Sequence, residues 1–273
     1  MVHVKEKKAD NLLEIMAEIF RYRELLFSLS VRSIKVQYKQ SFLGIAWAVF
    51  IPFSTMLIFV FINKAKIINI DTGNIPYPIF AYCGLLPWSF FAGSLGSGTQ
   101  SLVSYSGLID KIYFPREILP LSLIFSKVID LAIASLILVG LMLFYKVKLH
   151  ITIIAVPLVL LVQIILVAGL SFVFSMGNLF YRDVGYIISG VVPLLMFVTP
   201  VVYPIKVASK QLQGFLLSIN PMIPIIDAYR DLILIGRWPD LAKLAIPIVL
   251  CFSIFFMGLL WFHKNEHLFA ENI

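Results

Sequence analysis

Charge is the first thing this chain is short of. Asp, Glu, Lys and Arg make up 14% of its 273 residues, while 60% are apolar, and the mean hydropathy is +0.95. A soluble domain carries about a quarter charged residues, so this chain cannot cover a globular surface and reads as an integral membrane protein. One span needs roughly 20 apolar residues, which leaves room for about six spans and no separate soluble domain. Cysteine is nearly absent: Cys83 and Cys251 both lie in apolar runs, where they read as small core hydrophobes. No G-x-x-x-x-G-K-[ST] segment occurs, so the phosphate cradle of a P-loop is missing. Residues 1–30 hold no uninterrupted apolar run, because Arg21, Arg23 and Glu24 break the only candidate; the N-terminus is therefore expected in the cytoplasm. Charge is scarcest of all within the spans, against an ion-coupled carrier with midplane carboxylates. Acids and histidines are scattered rather than clustered, against a membrane-embedded transferase.

What is there is basic and periodic. The net charge is +7, but eight of the 22 Lys and Arg precede residue 42, so the excess reads as cytoplasmic anchoring and not as a nucleic-acid surface. With the N-terminus inside, cytoplasmic segments carry those eight plus Lys111, Arg116, Arg182 and Lys264, making 12. Lys127 lies in a span, so nine (22 − 12 − 1) fall outside. Residues 1–39 form a cytoplasmic amphipathic segment, with Leu12, Ile15, Met16, Ile19, Leu26 and Leu29 at helical spacing over 11–38. Uncharged or nearly uncharged runs predict spans at 40–63, 78–102, 119–145, 151–180, 185–205 and 244–262. The second holds Pro87 and the small residues Gly93, Gly96 and Gly98, which predict a kink and close helix approach. Between the last two spans, 206–240 is apolar but cut by Gly214, Asn220-Pro221, Pro224, Gly236 and Pro239. Two half-helices dipping into the outer side of the membrane and returning fit it. The whole, 1–273, is an all-α single transmembrane domain.

Residues 110–117, DKIYFPRE, place four charges and a proline between two of these runs. Taken alone the segment is an ordinary charged loop at the headgroups. Around it, five blocks stand in order: RELLFSLSVRSIKVQYKQSFLGIAWAVFIP (23–52), GLLPWSFF (84–91), SLVSYSGLIDKIYFPREILPL (101–121), YRDVGYIISGVVPLLMFVTPVVYP (181–204) and NPMIPIIDAYRDLIL (220–234). Together with the closing FHKNEHLFAENI, they resemble the permease subunits of bacterial polysaccharide ABC exporters, the O-antigen and teichoic-acid export permeases of the type 2 ABC group.

That resemblance implies a homodimer of six-span permeases in the bacterial inner membrane, both termini cytoplasmic. Two copies of a separate ATPase subunit would dock on it, and ATP and Mg would be held there; this chain itself would bind no cofactor and catalyse no reaction. The cargo it implies is polyprenyl-pyrophosphate-linked polysaccharide, O-antigen first, with teichoic acid or a drug or lipid as alternatives. It also makes 103–118 a cytoplasmic coupling helix, with Tyr105, Ser106, Asp110, Lys111, Tyr113, Phe114, Pro115, Arg116 and Glu117 as its working residues. A short helix with the anchors Tyr113 and Phe114 and flanking charges suits a groove on a partner, and Pro115 ends it before the next span.

Other residues leave alternatives open. Lys127 and Asp130 sit at i, i+3 within a span and read either as a mutual ion pair or, for Lys127, as a contact to a substrate phosphate. Arg21, Arg23, Arg32, Lys35 and Lys39 either anchor the chain at headgroups or fork onto a lipid pyrophosphate. The aromatics Trp47, Phe50, Phe53, Trp88, Phe90, Phe91, Phe197 and Tyr203 either pack the bundle and its interfacial belt or, on the family resemblance, offer flat faces for a passing glycan. His263, Lys264, Asn265, Glu266 and His267 spell H-x-x-E-H, a zinc-protease pattern. Only six residues follow it, leaving almost no chain for a further ligand or a substrate cleft, so it is expected to be a solvated helix end.

Overall fold

A computed structural model describes residues 12–39, 41–68, 70–109, 114–205 and 210–266, and among them every regular element is helical. Two helices, α1 (Leu12–Arg21) and α2 (Arg23–Tyr38), precede the first span. The spans begin with α3 (Trp47–Lys64), entered through a single 3₁₀ turn at Gly44–Ala46, and α4 (Tyr77–Thr99). Two four-residue turns follow, α5 (Ser101–Ser104) and α6 (Ser106–Ile109). Then come α7 (Ile118–Phe144), α8 (Val156–Phe180) and α9 (Asp183–Val198). The chain closes with α10 (Lys210–Ile219), α11 (Met222–Arg230) with a π-turn over Asp231–Ile235, and α12 (Leu241–Lys264).

Among the described residues, five helices are long and apolar enough to cross a membrane: Gly44–Lys64, Tyr77–Thr99, Ile118–Phe144, Ile151–Phe180 and Leu244–Lys264. The run expected at 185–205 gives a helix of only 16 residues, Asp183–Val198. Pro200 explains its end: the residue before a proline is pushed out of the helical region, and Thr199 sits at φ −84°, ψ 128°. The amphipathic helix expected over 11–38 is also two pieces, parted at Tyr22 (φ −93°, ψ 22°). The halves follow different supports: α1 buries Ile15 among apolar side chains, whereas α2 is bonded by side chains to α7. Tertiary support of this kind outweighs helical continuity.

The bundle is built around α4. It is the least hydropathic of the five, yet 78% of its spanning window is buried, against 11% for the first. In lipid this inversion is natural. Apolar side chains gain nothing by leaving hydrocarbon, so small residues that allow close packing mark the centre. A Cβ at Gly98 would overlap Ser171 of α8, and one at Gly84 would overlap Val201 O and the Arg230 guanidinium. Gly96 has nothing within 4 Å, so only part of the expected glycine seam is a contact. Inside α4, Pro87 is met by a buried polar group: Gln163 Nε2 donates to Pro87 O at 2.7 Å, and Tyr229 Oη donates to Gln163 Oε1 at 3.1 Å.

The segment between the last two spans forms two short helices that turn at Asn220-Pro221. Asn220 fastens the turn, accepting from Met222 N at 3.0 Å and donating to Thr199 Oγ1 at 2.7 Å. α11 is almost wholly buried and α10 largely exposed.

Candidate functional site

Two consecutive contacts attach α2 to the rest of the bundle at one end. Ser33 Oγ and Tyr105 Oη lie 2.7 Å apart, tying α2 to the break between α5 and α6. One turn further on, Lys127 Nζ of α7 is 3.1 Å from Asp130 Oδ2 and donates to Gln37 Oε1 at 2.8 Å, while Tyr38 Oη donates to Asp130 Oδ1 at 2.7 Å. Lys127 and Asp130 therefore pair with each other, and the pair is shared with α2. Burial, then the Asp130 hydrogen bond and charge, push the Tyr38 hydroxyl above the ordinary tyrosine range. A folded pKa raised above the unfolded value gives stability that is present below about pH 10 and lost only above it. Tyr38→Phe is accordingly expected to lower stability by about 1 kcal/mol, by the same amount at every pH from roughly 6 to 9. Thermal unfolding in detergent across that range measures it.

The basic residues of α1 and α2 do not converge. Arg21, Arg23, Arg32 and Lys35 are exposed, and Arg23 stacks over Phe20 at 5.0 Å. Arg23 stands 14 residues from Gln37, about 21 Å along a helix at 1.5 Å per residue, so Lys127 is remote from Arg21 and Arg23. Among the described residues these basic groups form a strip of charge and no single phosphate cradle.

A cavity of about 480 Å³ opens beside the Lys127–Asp130 pair, between α3, α4, α7 and α9. Trp47, Trp88, Phe90 and Phe197 are in its wall, with Gln37 and Tyr38 at the polar end. The other four expected aromatics lie outside it. Phe50 meets the Trp47 ring edge-on at 5.4 Å, Phe91 is buried 5.4 Å from Trp88, Phe53 is half-buried, and Tyr203 Oη donates to Phe197 O at 2.6 Å.

Over 103–118, where a coupling helix is expected, the described residues give the end of α5, a break at Tyr105, α6, and backbone outside any helix at 114–117. Asp110, Lys111 and Tyr113 lie outside the described residues. Phe114, expected to anchor a partner, is 2% exposed in this chain's own core, and Pro115 beside it is buried outside any helix. An aromatic flanked by charges is pulled inward here because Ile118 and Leu119 just beyond it are fully buried. Arg116 Nη1 donates to Glu266 O at 2.8 Å, with Nε 3.7 Å from Glu266 Oε1; Glu117 Oε1 is 2.8 Å from His263 Nδ1. The H-x-x-E-H segment is thus no solvated helix end: His263 and Glu266 are engaged by Glu117 and Arg116, and His267 lies outside the described residues. Tyr105 and Ser106 remain half-buried at the start of the segment.

On the opposite side, Arg230 escaped the sequence reading. It is 4% exposed, donates from Nη1 to Pro200 O at 3.0 Å and from Nη2 to Val201 O, lies 3.4 Å from Asp227 Oδ1, and covers the Phe80 ring at 3.9 Å. Its one sequence signal was the Asp227–Arg230 spacing of i, i+3 inside an otherwise apolar stretch.

Spanning helices around a small-residue centre, with a belt of polar ties at one end and an arginine pin at the other, define a multi-pass membrane protein of the transporter kind. The chain matches the model of the ABC-2 type transporters over residues 24–234 and belongs to that family, the membrane subunits of ABC transporters. It is 28% identical over 268 residues to an O-antigen export system permease protein of Myxococcus xanthus, covering 96% of this chain and 100% of that protein. Two Klebsiella pneumoniae proteins of the same name are 26% and 28% identical over 249 residues, covering 91% of this chain and 94% of theirs.

Proposed function

We propose that this chain is the permease subunit of an ATP-driven exporter that carries polyprenyl-pyrophosphate-linked polysaccharide, O-antigen in the first place, across a bacterial inner membrane. The observation that carries this reading is end-to-end similarity: the chain aligns with the whole length of an O-antigen export permease. The geometry supports it. The cytoplasmic segment 103–118 is bonded to α2 and the end of α12 and continues into α7, so a push there is shared among three elements. In this reading a separate ATPase subunit, two copies, supplies that push and holds ATP and Mg, and the termini face the cytoplasm. A second copy of the chain covers the apolar side chains that α3 and α9 leave exposed, Phe61 and Leu194 among them. Trp47, Trp88, Phe90 and Phe197 offer the glycan flat faces, and the exposed Arg21, Arg23, Arg32 and Lys35 attract the lipid pyrophosphate as it arrives. In proteoliposomes holding this chain and its ATPase subunit, a polyprenyl-pyrophosphate glycan is expected to reach the far side only with hydrolysable ATP. ATP hydrolysis with no movement of the glycan sinks the cargo assignment.

A further inference from the structure

The two residues just before α7 face inward. Glu117 is 1% exposed and Arg116 half-buried, and both take their partners from the last turn of α12 and the residues just after it, about 150 positions away in sequence. A carboxylate so deeply buried is costly unless charge and hydrogen bonding compensate it, so His263 Nδ1 at 2.8 Å fixes where the end of α12 can lie. Arg116 adds a second fastening, holding the backbone oxygen of Glu266 rather than a side chain alone. That contact fixes the chain direction as it leaves α12. Phe114 and Pro115, buried beside them, leave this stretch little freedom to slide.

Resting on the permease reading above, we propose that Glu117–His263 and Arg116–Glu266 form a clamp that makes α12 move with the coupling segment. Arg116 and Glu117 are then positioning residues that transmit a stroke inside this chain, and the partner ATPase touches the segment elsewhere. Through the clamp, a displacement of 103–118 reaches α7 along the backbone and α12 across the fold at the same moment. Because α12 follows directly on the outer hairpin, motion at the cytoplasmic side arrives at α11 without passing through the cavity. A purely structural pair has a different signature: its loss lowers the amount of folded protein and leaves the work done per ATP unchanged.

Two readouts on the full complex with its ATPase test this. The first is glycan exported per ATP hydrolysed: Glu117→Ala and His263→Ala are each expected to lower this ratio at least fivefold, and the double variant by no more than the worse single one, as coupled residues do. In a variant carrying Glu117→Cys and His263→Cys, bridging the thiols with a short bis-methanethiosulfonate is expected to restore the ratio. An unchanged ratio in the single variants, or export blocked by the bridge, overturns the clamp. The second readout needs no cargo: spin labels at Gly107→Cys and Lys264→Cys, on the coupling segment and the end of α12. Their separation is expected to stay constant between nucleotide states in the native sequence and to vary in Glu117→Ala. A separation that varies equally in both overturns the clamp even in a complex that exports no glycan, whereas missing export with a constant separation overturns only the cargo assignment.

Discussion

Arg230→Met is expected to lower the stability of the folded chain by about 2–5 kcal/mol, the cost of leaving two buried carbonyls without donors. The substitution keeps most of the volume, so packing over Phe80 is largely retained and the loss is polar. Pro200 O and Val201 O, which accept from the two guanidinium nitrogens, are left bare in irregular backbone. Such backbone is tolerated at membrane depth only where protein or water satisfies it. Asp227, 40% exposed, can be rehydrated and adds little. Arg230→Lys is expected to recover only part of the loss, because one ammonium cannot fork to two carbonyls and cover a ring together. Denaturant unfolding of the purified protein in detergent, followed by tryptophan fluorescence, gives the three stabilities. A methionine variant as stable as the native chain would show that the outer loop is held by something else, and Arg230 would lose its role as the pin between hairpin, loop and α4.

The helical spans were legible because membrane burial is written in composition: a run without charge has one economical fate. The Lys127–Asp130 pair was legible for a related reason, since two opposite charges three residues apart in lipid have few partners but each other. What the sequence hid were ties between distant segments. Nothing local in Ser33 points to Tyr105, or in Glu117 to His263, because neither pair shares a periodicity. Phe114 misled in an instructive way. In a charged loop its ring suggested a surface anchor, but the direction of a side chain is set by what the following residues bury. The basic residues before the first span looked like one cluster in sequence, whereas α2 alone spreads Arg23 and Lys35 over about 18 Å.

These hidden ties share a pattern. At one end the contacts join α2, Tyr105, Arg116, Glu117, α7 and the end of α12, while at the other they join α4, α11 and the loop after α9. The α2–α7 tie lies in the cavity wall, lined by Gln37, Tyr38, Lys127 and Asp130, whereas the other ties do not touch it. Under the permease reading proposed above, the ties away from the cavity transmit force, and variants of them are expected to spare its lining.

That separation depends on α12 behaving as a rigid rod, and its stiffness has a local origin. A Cβ at Gly169 of α8 would stand 2.6 Å from both N and Cα of Phe255, and a Cβ at Gly258 would meet the backbone of Gly169 in return. These are contacts of backbone with backbone, so no side chain can swing away to relieve them. Gly169→Ala is expected to cost about 2–3 kcal/mol, as overpacking of a tight core does. Gly140→Ala in α7, with nothing within 4 Å, is expected to be neutral or to stabilise by up to about 1 kcal/mol, the helix-propensity gain alone. The same added methyl thus has opposite signs at two helical glycines. Below its melting temperature, the Gly169 variant is also expected to export less glycan per ATP, because a parted α8–α12 seam lets the clamp at His263 pull on a helix that no longer carries its neighbours. Equal melting temperatures for the two variants would place the α8–α12 seam farther apart than described, and the rigid-rod account would fall with it.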